Sequence, residues 1–166
     1  MTGCNAAQSG GCYIGAYSPK DGSELYKVHS IAQSGPDGDT WNGIPLESRF
    51  GGSVWQSGSY DPEQNLVFYG TAQPYPWIAE MNGLLPATSE KGITNNALYT
   101  DSTLAIEPET GAVKWHHQYL QTDTWDLDYI YERMLIDLPV NGVDTKQVVT
   151  TGKLGIFDVM DRATGQ

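Results

Sequence analysis

The strongest constraint in the sequence is a turn-and-strand pattern that recurs. Residues 16–26 align with residues 105–115, and residues 159–165 begin a third copy. Each copy has a strand ending on a small or apolar pair, then a tight polar turn containing Gly22, Gly111 or Gly165. Where the chain continues, a return strand carries Tyr26 or Trp115. Glycine at a fixed place in a short polar turn supplies a positive φ, and the flanking pattern specifies a hairpin. The glycines lie 89 and 54 residues apart. A different hairpin, residues 59–70 around the turn Asp61-Pro62-Glu63-Gln64-Asn65, occupies the longer interval. Repeated hairpins carrying an aromatic residue are stacked modules, and self-similarity of this kind outweighs other fold signals.

Further strands are expected at residues 12–17, 98–106, 134–138, 147–151 and 154–159 from their β-branched content and alternation. Asn141-Gly142 forms a hairpin turn between Val140 and Val143. No stretch has the pattern of a long helix. Nineteen Gly, nine Pro, ten Tyr and five Trp, with 17% charged residues, describe a turn-dense, aromatic-rich all-β chain rather than a disordered one. Four-stranded units repeated around an axis make a β-propeller, and residues 1–166 are expected to form a single partial propeller domain, a fragment truncated at both ends.

The net charge of −11 and pI near 4.4 argue against nucleic acid or an anionic membrane surface as partner, and favour a cation or a basic protein. Residues 1–16 have neither the basic start nor the apolar run of a secretory signal, and no membrane span is expected. Cys4 and Cys12, separated by seven residues, are expected to form a local disulfide in an oxidising compartment, with two buried thiols as the alternative.

Chemistry concentrates in residues 114–128, an aromatic strand running into a turn that holds Asp123, Asp126 and Asp128. In extended chain Asp126 and Asp128 would share a face, roughly 6 to 7 Å apart at the backbone. Carboxylates this close repel unless a proton or a cation separates them. The long Gly- and Pro-rich segments 30–50 and 74–96 are expected to be functional loops.

The repeat at residues 105–115 resembles the tryptophan-docking motif of the pyrroloquinoline quinone (PQQ)-dependent alcohol dehydrogenases, which are eight-bladed propellers. The similarity runs through Gly51-Gly52-Ser53-Val54-Trp55, residues 60–71, residues 96–105 and Thr124-Trp125-Asp126. The resemblance implies about three of eight blades and oxidation of alcohols by hydride transfer to the quinone. It implies Trp55 as the floor under the cofactor, where an indole offers the largest stacking surface. Ser53 falls at a hydroxyl position near the cofactor carboxylates, and Lys153 at the basic position beside the quinone oxygens. Asp126 takes the place of the catalytic aspartate, the general base toward the alcohol. Asp128 coincides with an extra carboxylate of lanthanide-using members, and a trivalent ion favours more anionic oxygens than calcium does.

Two positions depart from the family pattern. Gln73 stands where the family has an asparagine metal ligand, and residues 4–8 contain no carboxylate where a glutamate ligand is expected. The resemblance then implies Asp126 and Asp128 as the charged metal ligands, with Gln73 and either Asn5 or Gln8 adding neutral oxygens, for calcium or a lanthanide, in a divergent branch of the family. The resemblance further implies a cytochrome c type electron acceptor and a periplasmic location. Alternative functions are a non-catalytic propeller scaffold of the outer-membrane assembly lipoprotein type and a PQQ-dependent sugar dehydrogenase. His116 and His117 should point to opposite faces of a strand in structural roles, and His29 should lie on the surface. Asp37, Asp39 and Trp41 belong to a loop expected to cover part of the cofactor pocket, with a simple surface turn as the alternative.

Overall fold

A computed structural model describes residues 2–3, 5–33 and 39–166. Three antiparallel sheets follow one another along the chain. The first is β1 (Thr2–Gly3), β2 (Tyr13–Tyr17) and β3 (Glu24–His29), in that order. The second is a complete four-stranded blade, β4 (Ser59–Asp61), β5 (Leu66–Gly70), β6 (Ser102–Ile106) and β7 (Val113–Gln118). The third has β8 (Met134–Val140), β9 (Val143–Thr151) and β10 (Phe157–Asp161), with β9 in the middle. The sheets are an open segment of a β-propeller, as expected from the repeat. Among the described residues, helix is confined to a 3-10 turn at Leu46–Ser48 and a single turn, α1 (Ala79–Asn82).

The repeat is reproduced in backbone detail. The N–H groups of Gly22, Gly111 and Gly165 donate to the carbonyls of Ser18, Glu107 and Asp161 at 2.9, 2.9 and 2.8 Å. All three glycines have φ between 74° and 77°, which a side chain would strain. Ala16 pairs with Tyr26 and Ala105 with Trp115, and the register slips immediately after each alanine. Each aromatic then packs on the glycine of the following copy. A Cβ at Gly111 would lie 2.4 Å from the Tyr26 ring, and one at Gly165 would lie 2.5 Å from Trp115. Tyr26 Oη donates to the Pro108 carbonyl at 2.6 Å, and Trp115 Nε1 donates to the Arg162 carbonyl at 3.3 Å. Pro108 and Arg162 occupy the same place in their turns, so one interaction joins the first sheet to the second and the second to the third.

Apolar layers between the sheets complete the packing. Ile14, Val28, Val54, Leu104 and Ile106 fill the space between first and second sheets, and Phe68, Ala105, Val148 and Met160 that between second and third. Trp41, expected over the cofactor pocket, is instead a core residue, 2% exposed, packed with Ile31, Leu84 and Ala97. Asp39 accepts from the Trp41 N–H and from Arg49, which ties this loop down. Asp37 and Cys4 lie outside the described residues.

Several strand bounds differ from expectation. Residues 98–101 form a turn and residues 154–156 lie outside strand, where Ala97, Asp101 and Gly155 take positive φ. The strands β8 and β9 run longer than expected and meet at Asn141-Gly142, whose φ values of 53° and 78° are those of a tight hairpin turn. His116 contacts the Tyr99 ring and His117 the Tyr119 ring, on opposite faces as expected, and His29 is exposed.

Candidate active site

The candidate site is built on residues 123–133, which follow β7 and lead into β8. Two buried side chains fix its shape. Asp123, 4% exposed, accepts hydrogen bonds from the Trp125 N–H at 2.8 Å and the Leu127 N–H at 2.6 Å. Arg133, 2% exposed, donates to the Ser102, Tyr129 and Tyr131 carbonyls and to Thr103 Oγ1. With no carboxylate among those partners, burial lowers its pKa to about 10. The guanidinium fits only because position 70 is glycine, where a Cβ would sit 2.0 Å from Nη1.

Asp126 and Asp128 are not in extended chain. Their φ values are 60° and 27°, so a left-handed turn, not strand alternation, sets their relation. The turn still brings both carboxylates to one cation. Lys153 Nζ lies 3.0 Å from Asp126 Oδ2 and 2.7 Å from Asp128 Oδ2. The Lys153 backbone N–H donates to the Leu127 carbonyl at 2.9 Å, and Tyr129 packs over Gly152, so the β9–β10 connection is fastened to the acidic turn. Burial alone would lower the lysine's pKa. Its two carboxylate partners reverse that and hold the ammonium charged well above the usual range. Burial raises the pKa of Asp128, and Lys153 offsets the rise only in part.

Gln73 completes the group. Its backbone N–H donates to Asp128 Oδ1 at 3.3 Å, while its side-chain Oε1 is buried without a hydrogen-bond partner. The N–H of Ala72 donates to the Ser53 carbonyl at 3.0 Å, which sets Ser53 beside the same strand end. Trp55 is 52% exposed and meets Tyr131 edge-on at 5.8 Å, so an indole face is open. The structure thus joins Gln73, Asp126, Asp128 and Lys153 directly, with Ser53 attached through the main chain and Trp55 through Tyr131.

Asp101 is a feature that the sequence analysis missed. It precedes β6, is fully buried, and neither carboxylate oxygen has a well-formed hydrogen bond. Burial raises its pKa well above the ordinary 3.8, and Asp123, Asp128 and Asp126 add to the rise. The nearby Tyr129 N–H opposes it only weakly. Nothing in the local sequence marks this residue, since an acid before a strand is commonly a solvated turn residue. Among the described residues, no three Asp, Glu, His or Cys side chains are arranged to hold a metal ion as they stand.

The three docked sheets form a propeller segment that carries an acidic turn, a basic side chain between its carboxylates and an exposed indole. The family described as "PQQ: Glucose/ethanol/alcohol dehydrogenase, beta-propeller domain" matches residues 3–166, and the chain belongs to this quinoprotein alcohol dehydrogenase family. The chain is 33% identical over 150 residues to the quinoprotein alcohol dehydrogenase PedH of Pseudomonas putida, covering 90% of this chain and 23% of that one. It is 32% identical over 152 residues to the quinohemoprotein alcohol dehydrogenase of Comamonas testosteroni, covering 89% and 20%. The solved structure of a Comamonas testosteroni quinohemoprotein alcohol dehydrogenase superposes with a TM-score of 0.81 at 27% identity, covering all of this chain and 25% of that one. A europium-containing methanol dehydrogenase superposes with a TM-score of 0.72 at 30% identity, covering 96% and 29%. The chain spans about a quarter of the length of the curated relatives it matches.

Proposed function

We propose that the protein oxidises alcohols with PQQ as hydride acceptor. The observation that carries this reading is the convergence of Asp126, Asp128, Lys153 and Gln73 at one sheet end, in a chain of this family. The residues present suit both implied groups. The exposed face of Trp55 suits a flat conjugated ring, and Ser53 offers a short donor for a cofactor carboxylate. Asp126, Asp128 and the partnerless Gln73 Oε1 are hard oxygen donors of the kind calcium and lanthanide ions take. When bound, PQQ supplies a carbonyl carbon able to accept hydride, and the metal supplies Lewis acidity beside it.

The chain's own residues have separable tasks. Asp126, more exposed than Asp128, takes the alcohol proton, since an alcohol gives up hydride more readily as it approaches the alkoxide. Lys153 would supply the positive charge that stabilises an oxyanion developing on reduction. Asp128, buried and bonded to the Gln73 N–H, holds the turn and adds negative charge toward a cation. We assign the electrons to a cytochrome c type acceptor, as the quinohemoprotein names of two relatives suggest, and the protein to the periplasm. Among the described residues, no helix is long and apolar enough to cross a membrane.

Reconstituting the intact protein with PQQ and either calcium or a lanthanide, then following dye reduction, tests the proposal. Alcohols should support reduction and sugars should not. Asp126→Asn should lower kcat by roughly 10² to 10⁴, the usual weight of a general base, with PQQ still bound. Failure to bind PQQ would favour a non-catalytic scaffold.

A further inference from the structure

Five large apolar side chains, Tyr75, Trp77, Ile78, Met81 and Leu85, are exposed together in the β5–β6 connection, and the alcohol chemistry proposed above uses none of them. We infer that this patch is the docking surface for the electron acceptor, a basic c-type cytochrome whose exposed haem edge seats on these side chains. The inference rests on the acceptor reading given above and adds the surface that serves it.

The patch is held in place from behind. Asn42 Nδ2 donates to the Gly83 and Pro86 carbonyls at 2.8 and 3.1 Å, and its Oδ1 accepts from the Thr88 N–H at 2.7 Å. Leu84 packs inward against Trp41, Ile31 and Ala97, while Leu85 beside it and Met81, 66% exposed, face solvent. A surface fixed this way loses little freedom when a partner binds. The patch also adjoins the candidate site. It begins two residues after Gln73, where the Tyr75 N–H donates to the Phe50 carbonyl at 3.0 Å and Gly51 bridges Pro74, at the head of the run that leads to Trp55. The Gln118 and Thr122 side chains donate to the Asn96 and Asn95 carbonyls, which ties the same connection to the chain entering the acidic turn. Small ligands are held in concave sites, whereas an exposed apolar patch of this kind suits a second protein. Five side chains are also enough for the small interfaces of redox encounters. Charge selects the partner. Within residues 39–97, Glu47, Glu80 and Glu90 are exposed against one exposed cation, Lys91, and the whole chain carries −11. A protein with an apolar centre and a rim of lysines complements both features and is drawn in at long range.

The test follows electrons out of the intact protein, loaded with PQQ and metal and reduced by an alcohol, into either a small dye or a purified lysine-rich cytochrome c. Met81→Lys, and separately Met81→Ser combined with Leu85→Ser, should each raise the KM for the cytochrome about tenfold or more, as loss of a central contact does, and leave dye reduction unchanged. Leu25→Lys, the same charge change on an exposed residue of β3, should alter neither reaction. Added salt should slow cytochrome reduction by the parent and not dye reduction. Met81→Cys should react with a maleimide beyond any labelling of the parent, and the labelled protein should lose cytochrome reduction. No labelling means that another part of the chain covers the patch and overturns the inference, as does an unchanged cytochrome KM in the Met81 variants. Variants that slow the dye equally put the patch in the alcohol site, which also overturns it. If the parent reduces the dye but not the cytochrome, the acceptor reading itself is wrong and this inference falls with it.

Discussion

Asp101 is a carboxylate shut away from water with no well-formed hydrogen bond, in a neighbourhood of three other acids. Its raised pKa means that folding opposes its ionisation. Its unfavourable contribution is therefore absent below the ordinary value of 3.8 and grows as pH climbs from there toward the folded-state value. The sign is opposite to that of a salt-bridged aspartate. Asparagine has nearly the same shape and tolerates the left-handed backbone that Asp101 adopts at φ 48°. Asp101→Asn removes the ionisation that burial opposes and should therefore stabilise the protein at neutral pH by about 1 kcal/mol or more, one pKa unit being about 1.4 kcal/mol. Urea unfolding at pH 5 and pH 7 checks it, because the gain should be larger at the higher pH. Gly70 gives the converse case. Gly70→Ala places a methyl 2.0 Å from Arg133 Nη1, displacing the guanidinium that holds the Tyr129 and Tyr131 carbonyls. It should cost about 2 kcal/mol or more, within the range for an overpacked core, visible as a lower urea midpoint.

Between elements, the β4–β5 turn and the end of β10 are locked by a buried ion pair. Asp61 and Arg162 meet at 3.1 Å with side chains 2% and 5% exposed. Asp61 also accepts from the Glu63 and Gln64 N–H groups, which shape the turn. Burial pushes its pKa up, but these partners outweigh it and hold the carboxyl below its usual range. Asp61→Ala strands a buried guanidinium whose other carboxylate, Asp137, is 60% exposed, and should cost about 3 kcal/mol in urea unfolding. Exchanging Asp61 and Arg162 together for apolar residues should recover most of that loss. The turn itself was legible in the sequence, as were the repeat turns at Gly22, Gly111 and Gly165, because proline, asparagine and glycine specify local backbone. The pairing of Asp61 with Arg162 was not, since it depends on how two sheets dock. The site divides the same way. Asp126 and Lys153 were legible only through the resemblance, position by position, since a lysine after Gly152 is by itself unremarkable, whereas Arg133 and Asp101 gain meaning only from what surrounds them in three dimensions. The spacing of Asp126 and Asp128 suggested proximity for a wrong local reason: a left-handed turn, not strand alternation, unites them.

At the scale of the molecule, docking of each aromatic on the next glycine turns a repeated local pattern into a stack of sheets, and such a stack ends in a face. On the third sheet, pairing sets Met134, Val149 and Val159 side by side, with Phe157 further along the same side of β10. The opposite side, Leu135, Val148 and Met160, is packed against the second sheet. Phe157, Val159 and Met134 are 65%, 55% and 41% exposed, and in a propeller another blade would cover them. Contiguous apolar surface on a sheet with a free edge is a template for association. Expressed alone, these 166 residues should therefore self-associate despite the net charge of −11, and the effect should grow with salt as repulsion is screened. Sedimentation across a concentration series would show a rising mean mass. Replacing Phe157 and Val159 with serine should return the mass toward the 18.1 kDa monomer without lowering the urea midpoint, because neither side chain is packed in the core. A concentration-independent monomer for the unaltered chain would mean that this face needs no cover, and that the three-sheet stack is stable with its end exposed.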